Sequence, residues 1–385
     1  MSAGIGVAAR IAALDAASWD RASGSTVALD RGLLAAMETA DRLAPERRYF
    51  LHADGEARVA AAASLRRSPT AARPLDSLLY GRAAGLLCRL GGSAAPVLLL
   101  GPDLGYDATL YGSAPPESAA ALRAVLHETC AAIEAEARRE SAAVCISRVV
   151  PQACPLLAPV LEERGYGWTL ERPTTWLATD WTDADGYFRQ LATHHPGHAR
   201  EVRREIRRFE ASGGRLERLP SSAVPAQAVG VLLEQHHHRK NAESLGLTAD
   251  FVALLGTRMR DDLQVYLLGP VDAPTGAALL LRRGHHGCVA LVGLDRSRPL
   301  PDLAYFNLTY YGPARDAPAL GLQRLDFGPG MVEMKLRRGC QLAHPRLFYR
   351  APTSFGRTWR RGTLALHRRW FARKFRRLRD RSGEP

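Results

Sequence analysis

The sequence predicts a mixed α/β protein made of two tandem domains followed by a basic helical tail, and three observations lead there. The chain has 385 residues, more than one ordinary domain holds. Apolar residues make up 46% and aromatics 7%, enough to build buried cores. Helix-like and strand-like segments also alternate in an order that repeats: early helices, an antiparallel meander, a helix, then further strands.

The elements follow in sequence. "LDRGLLAAMETADRL" has helical spacing, and "YFLHADGEARVAAAASLRR" reads as a hairpin turning at "ADGE". "APVLLLG" is a short buried strand, and the Gly-rich "GPDLGYDATLYG" after it is read as a turn rather than a phosphate cradle. "PPESAAALRAVLHETCAAIEAEARRES" is a long helix opened by Pro and Glu, "AAVCISRVV" a strand, and "CPLLAPVLEERG" a helix stopped at Gly165.

In the second half, residues 183–214 are helical around a Pro-Gly break and stop at Gly213-Gly214. "RLERLP" is a strand, "AVPAQAVGVLLEQHHHRK" and "TADFVALLGTRMRDD" are helices, and "LQVYLLG", "GAALLLRRG" and "CVALVGLD" form a meander. "LAYFNLTYYGPARDAPALG" is helix-like with a bend at Gly312-Pro313; "LQRLDFG" and "PRLFYRA" are strands. The junction lies between Trp168 and Asp180, giving domains 1–170 and 171–350 and a tail 351–385.

Composition narrows the setting. Cys88, Cys130, Cys145, Cys154, Cys288 and Cys340 are widely spaced, as expected of reduced thiols in a cytoplasmic protein. No apolar run reaches the roughly 18 residues of a membrane span, and the first residues lack signal-peptide features. The net charge is +13, and residues 346–381 hold thirteen Lys/Arg against the single acid Asp380. Such a segment suits a polyanion or an anionic membrane surface.

Three segments carry a family resemblance: "REVRREIRRFEASGGRLERL", "GAALLLRRGHHGCVALVGLD" and "GLQRLDFGPGMVEMKLRRGC". Together they resemble the Fem-like branch of the GNAT acyltransferases, which includes the FemAB-like peptidoglycan aminoacyl transferases and cellulose-biosynthesis-type acetyltransferases. The resemblance spans most of residues 170–350 and, more faintly, the first half. It implies two tandem GNAT-like domains that transfer an acyl group to an amine, with aminoacyl-tRNA as donor in the Fem ligases. It also implies that Lys335 lies beside the reacting ester. One departure bears on the donor: where a CoA-binding loop would place glycines, this chain has "RSRPLPDL". Without glycine, backbone cannot closely approach a pyrophosphate at a helix start.

The candidate chemistry centres on Lys335, one of only three lysines among 52 Lys and Arg. A compact ammonium can sit at a developing oxyanion where a guanidinium fork does not fit. Asp326 is a general-base candidate, and Glu333 is read as a charge partner near the substrate. Tyr305, Tyr310 and Tyr311 offer hydroxyls, with Tyr310 taken as the catalytic one and packing as the competing role. Gly328 and Gly330 open the chain for substrate approach, or simply end a strand. Arg337 and Arg338 are candidates for holding phosphate, or for a solvated face.

His236, His237 and His238 point about 100° apart on a helix and cannot converge on one ion, so no metal site is expected. His238, Arg239 and Lys240 instead suit the helix's negative end and an anionic ligand. Arg200, Arg203, Arg204, Arg207 and Arg208 form one helical stripe opposite Val202, Ile206 and Phe209. That stripe is the candidate nucleic-acid surface; bracing by Glu201 and Glu205 is the plainer use.

The leading expectation is an aminoacyl-tRNA-dependent transferase that forms an amide on a cell-wall precursor or small metabolite and needs no cofactor. An acyl-CoA-dependent N-acyltransferase is the alternative. A non-catalytic peripheral membrane or nucleic-acid-binding protein is the third.

Overall fold

A computed structural model describes residues 4–39, 46–67, 95–241, 248–353, 362–369 and 371–373. Cys88 lies outside the described residues, as do the side chain of Lys240 and the end of the tail.

Two sheets organise the chain. The first holds β1 (Gly6–Ala8), β2 (Glu46–Asp54), β3 (Ala57–Arg66), β4 (Val97–Leu100), β5 (Leu110–Ser113), β6 (Ala143–Val149), β7 (Gly167–Leu170) and, from the far end of the chain, β15 (Arg346–Arg350). Its order is β1-β2-β3-β4-β6-β15-β7, with β5 also paired to β3. The second sheet holds β8 (Thr174–Ala178), β9 (Leu216–Pro220), β10 (Leu263–Leu268), β11 (Gly276–Arg283), β12 (His286–Leu294), β13 (Arg324–Gly328) and β14 (Gln341–Ala343). Its order is β14-β8-β13-β12-β11-β10-β9.

Read from the β1 edge and the β9 edge, the two sheets have the same plan. Among the described residues each contains one parallel pair, β4 with β6 and β12 with β13, inside an otherwise antiparallel ladder. The repeat expected from the sequence is therefore a repeat of topology.

The expected boundary needs one correction. "PRLFYRA" is a strand, but it pairs with β6 and β7 of the first sheet rather than with the second. Its counterpart β8 follows β7 after only three residues and pairs with β13 and β14. The units thus exchange strands. Each sheet receives an inner strand from the stretch that follows the other sheet's edge strand.

The described part of the tail packs on the first sheet. Residues 362–369 and 371–373 are helical. Leu364, 1% exposed, packs with Val97, Ala143, Cys145, Leu347 and Tyr349 of the first sheet. Thr169 Oγ1 lies 2.9 Å from His367 Nδ1, and Arg368 stacks 4.2 Å from the Trp168 ring centre. No described helix is long and apolar enough to cross a membrane.

Amphipathic spacing explains the second unit's outer layer. Helices Gly186–His194 and Pro196–Ala211 break at His195, where Pro196 starts the second helix. Val202, Ile206 and Phe209 face the core, and the five stripe arginines are exposed. On the sheet's other face, helices Ala226–Asn241 and Ala249–Met259 share a core with Leu33, Ala36 and Met37 from the start of the chain. The first unit's early helix, Arg31–Thr39, is therefore built into the second unit's packing.

Candidate active site

The site begins where β12 and β13 part. They pair in parallel over only three positions, His286↔Arg324, Gly287↔Leu325 and Cys288↔Asp326. Beyond these, β12 follows β11 and β13 follows β8. The gap is filled by Tyr106, carried on the first unit's loop between β4 and β5. Its hydroxyl donates to the Val289 carbonyl at 3.2 Å. Its ring lies so close to Gly328 that a Cβ there would meet ring carbon at 2.3 Å. Gly328 also has φ +72°, so both sterics and backbone conformation demand glycine. Burial pushes the Tyr106 phenol well above its ordinary range, so it keeps its proton as a donor.

The residue after this tyrosine, Asp107, joins His286 and Asp326 at the start of the parallel pair. His286 Nε2 is hydrogen-bonded to Asp326 Oδ2, and His286 Nδ1 lies 3.6 Å from Asp107 Oδ2. Arg324 donates to both Asp326 oxygens, at 3.1 and 3.0 Å. The same guanidinium stacks 4.5 Å from the Trp176 ring centre. Asp107 Oδ2 is buried and receives no hydrogen bond from the described residues.

Burial and charge set the proton states. Burial alone would depress His286, but Asp107 and Asp326 outweigh it and lift the imidazole to about 9. Burial would raise Asp326, but His286 and Arg324 hold its carboxyl below the usual carboxylate range. Asp107 goes the other way: burial dominates the attraction of His286 and pushes its carboxyl up. The result is an imidazolium between two unlike carboxylates, one firmly ionised and one poised to take a proton.

The donor atoms of Asp107, His286 and Asp326 lie within 4.8 Å of one another, close enough to surround a cation. The His286 proton and the Arg324 guanidinium already balance the two carboxylates. The cluster therefore suits proton transfer better than ion binding.

A cavity of about 230 Å³ opens beside the cluster, between the units. His286, Arg324, Asp107, Tyr111, Arg148 and Cys154 are among the residues that line it. Thr26, from the chain's start, contributes to the wall.

The residues expected from the sequence fall in different places. Asp326 is in the cluster, but a depressed, doubly bonded carboxylate is a poor base, so it orients His286 instead. Lys335 is buried, 6% exposed. Its ammonium donates to the Phe327 carbonyl and, at 3.3 Å, to that of Gly328. It thus ties the short helix Val332–Leu336 to the end of β13, and it is not among the residues lining the cavity.

Tyr310 and Arg338 are core residues. The Tyr310 hydroxyl donates to the Arg338 carbonyl at 2.9 Å and lies 3.2 Å from Cys340 Sγ. The Arg338 guanidinium reaches Glu205 and Tyr311 and covers the Phe306 ring at 3.8 Å. This buried network, which also holds Tyr311, leaves Arg338 turned away from solvent phosphate. Tyr305 is half-buried in the same core. Glu333, Arg337, His238 and Arg239 are exposed, and Gly330 has open space around it. None of these lines the cavity.

The sequence reading missed His286, Asp107 and Arg324. The signals were a His-His pair directly after a turn glycine and an acid beside a tyrosine in a Gly-rich loop. Neither says that the loop reaches the other unit.

Comparison with known proteins bears on the fold. Residues 197–335 match the family model described as an acetyltransferase (GNAT) domain. The match lies within the second unit and supports an acyltransferase. No curated protein matches the chain. Among solved structures, it is similar to the C-terminal domain (DUF2156) of a lysylphosphatidylglycerol synthetase candidate from Agrobacterium fabrum. That pair has 11% identity and TM-score 0.54, covering 93% of this chain and 97% of that one. It is similar also to L-PGS from Bacillus licheniformis, at 12% identity and TM-score 0.52, covering 90% and 94%. A conserved protein of unknown function from Bacteroides thetaiotaomicron has 13% identity and TM-score 0.53, covering 87% and 94%. At these identities the likeness is one of fold.

Proposed function

We propose that the chain transfers an aminoacyl group from charged tRNA to an amine acceptor, forming an amide in the cavity between the units. The observation that carries this reading is the His286 ring, which is fixed by Asp326 at Nε2 and turns Nδ1 toward Asp107 and the cavity. The acceptor nitrogen attacks the ester carbonyl carbon and gives a proton to Asp107. As the C–O bond to the ribose breaks, the protonated His286 donates its Nδ1 proton to the leaving oxygen. The C–N bond remains, and a proton passing from Asp107 to His286 resets the pair. Asp326 and Arg324 hold the ring in place.

Two features favour a tRNA ester over acyl-CoA. Tyr106 fills the gap between β12 and β13, and the loop 295–303 has no glycine. The exposed arginine stripe suits the phosphates of a tRNA. The lysylphosphatidylglycerol synthetase description of the Agrobacterium neighbour is compatible with an aminoacyl donor.

The test incubates the purified chain with total charged tRNA or with an acyl-CoA pool, plus mixed amines, and follows donor consumption and amide products. The expected result is tRNA deacylation coupled to amide formation, abolished in His286→Gln. Consumption of acyl-CoA with charged tRNA untouched would replace the donor, and consumption of neither would remove the reading.

A further inference from the structure

The wall of the same cavity contains a device that the mechanism does not use. Arg148 lies in β6, yet its φ is +62°, a left-handed conformation that is rare for arginine. The ladder shows why. Between β6 and β15 the register runs Val149↔Arg346 and then Ile146↔Phe348, so the residues between them form a bulge. Bulges re-aim side chains, and Arg148 is one of the residues lining the cavity.

The bulge is held by Glu171, 4% exposed, in the three-residue crossing between the sheets. Its carboxylate accepts from Ser147 Oγ at 3.0 Å and from the Arg148 backbone N–H. The Arg148 guanidinium itself is held loosely. Nη1 donates to the Arg172 carbonyl at 3.4 Å, and Nε is 3.9 Å from Glu171. A buried carboxylate thus keeps a strained backbone in place, while the guanidinium of this cavity-lining residue makes only these two long contacts. Strain held this way marks a functional position.

We propose that Arg148 is a phosphate-binding residue of the cavity, with Glu171 as its positioning residue. The ligand class is a phosphate monoester or diester carried by one of the two substrates. A guanidinium fork matches two phosphate oxygens, whereas the charges of Arg324 and His286 are already balanced by Asp326 and Asp107. The inference rests on the acyl-transfer reading only for which substrate brings the phosphate. The phosphate site itself can be tested on the free protein.

Inorganic phosphate is titrated calorimetrically into the full chain, with acetate as the carboxylate control, for wild type and Arg148→Gly. Glycine adopts the left-handed backbone without strain, so this variant removes the guanidinium and spares the bulge. We expect saturable phosphate binding in wild type, weaker by about tenfold to a hundredfold in Arg148→Gly, the worth of one or two charge-assisted hydrogen bonds. The melting temperature of the variant should be unchanged or raised. In steady state the variant should raise KM with little change in kcat. Whether phosphate competes with donor or with acceptor then identifies which substrate carries the group. Equal phosphate affinity in the two proteins, no saturable site in wild type, or a clear fall in melting temperature would each overturn the assignment. None of these results bears on whether charged tRNA is consumed.

Discussion

A buried imidazole lifted to about 9 ties stability to pH in a direction that can be measured. In the unfolded chain His286 titrates near its ordinary value of about 6.5. Below that pH both states carry the proton, and the ion cluster contributes its full stabilisation. Between about 6.5 and about 9 only the folded state keeps it, so stability falls as pH rises, by about 1.4 kcal/mol per pH unit at the steepest. Across the window the contribution is about 3 kcal/mol, lost once pH passes through the folded value. The assay is urea unfolding from pH 6 to 10 for wild type and His286→Gln; the difference between them isolates this group from others that titrate. Asp326→Asn should shrink the step, because it removes the charge bonded to Nε2 and leaves Asp107 alone to hold the proton. Turnover should fall over the upper part of the same window as the acid deprotonates. If wild type and His286→Gln show parallel pH profiles across the window, His286 is not a buried imidazolium and its assignment as acid fails.

Changing Arg203, Arg204, Arg207 and Arg208 together to glutamine should weaken tRNA binding in filter assays and flatten its salt dependence, since all four are exposed. Leu364→Ala should cost about 2–5 kcal/mol in chemical denaturation, because the side chain is sealed against the first sheet; an unchanged midpoint would mean the tail helix does not dock. Tyr106→Ala should cut turnover strongly and lower stability by about 3–5 kcal/mol, since it empties the gap between the parallel strands. Lys335→Met should lower stability before it touches chemistry, because it takes the ammonium from the buried Phe327 carbonyl, while Gly328 keeps its bond from Thr175; full stability with lost turnover would restore a catalytic role for the ammonium.

Much of the scaffold was legible because local chemistry dictates it. Alternating apolar residues around "ADGE" produced β2 and β3, and the Val202, Ile206, Phe209 face opposite five arginines produced the stripe helix. Weaker signals were lost: β14 and the helix Val332–Leu336 are short, and "LYGS" joins the first sheet as β5 from a stretch that reads as a loop. The exchange of β8 and β15 was invisible because a strand's pattern records how it is buried but not which sheet buries it. The site was hidden for the same reason. Asp326 could be singled out, but its partners His286 and Arg324 sit 40 and 2 residues away, and Asp107 belongs to the other unit. Lys335 stood out as a rare lysine, and the rarity matches a buried tie to two carbonyls.

The strand exchange and the site are one construction. The region 197–335 that matches the GNAT family model contains His286, Arg324 and Asp326, but not the carboxylate poised to take a proton. Asp107 arrives on a first-unit loop anchored by Tyr106, and that anchor requires the bare Gly328 at the end of β13. The crossing from β7 to β8 supplies Glu171, which holds Arg148 toward the same cavity. Arg283, at the end of β11, reaches back to the Gly24 carbonyl at 2.7 Å and to Asp20, Ser23 and Asp30, fixing the wall that holds Thr26. Each unit thus closes the other's sheet and completes the other's half of the cavity. Separating them would break both ladders and disperse the acid, the base and the anion clamp at once, so the two-unit chain is the smallest piece that can hold this chemistry.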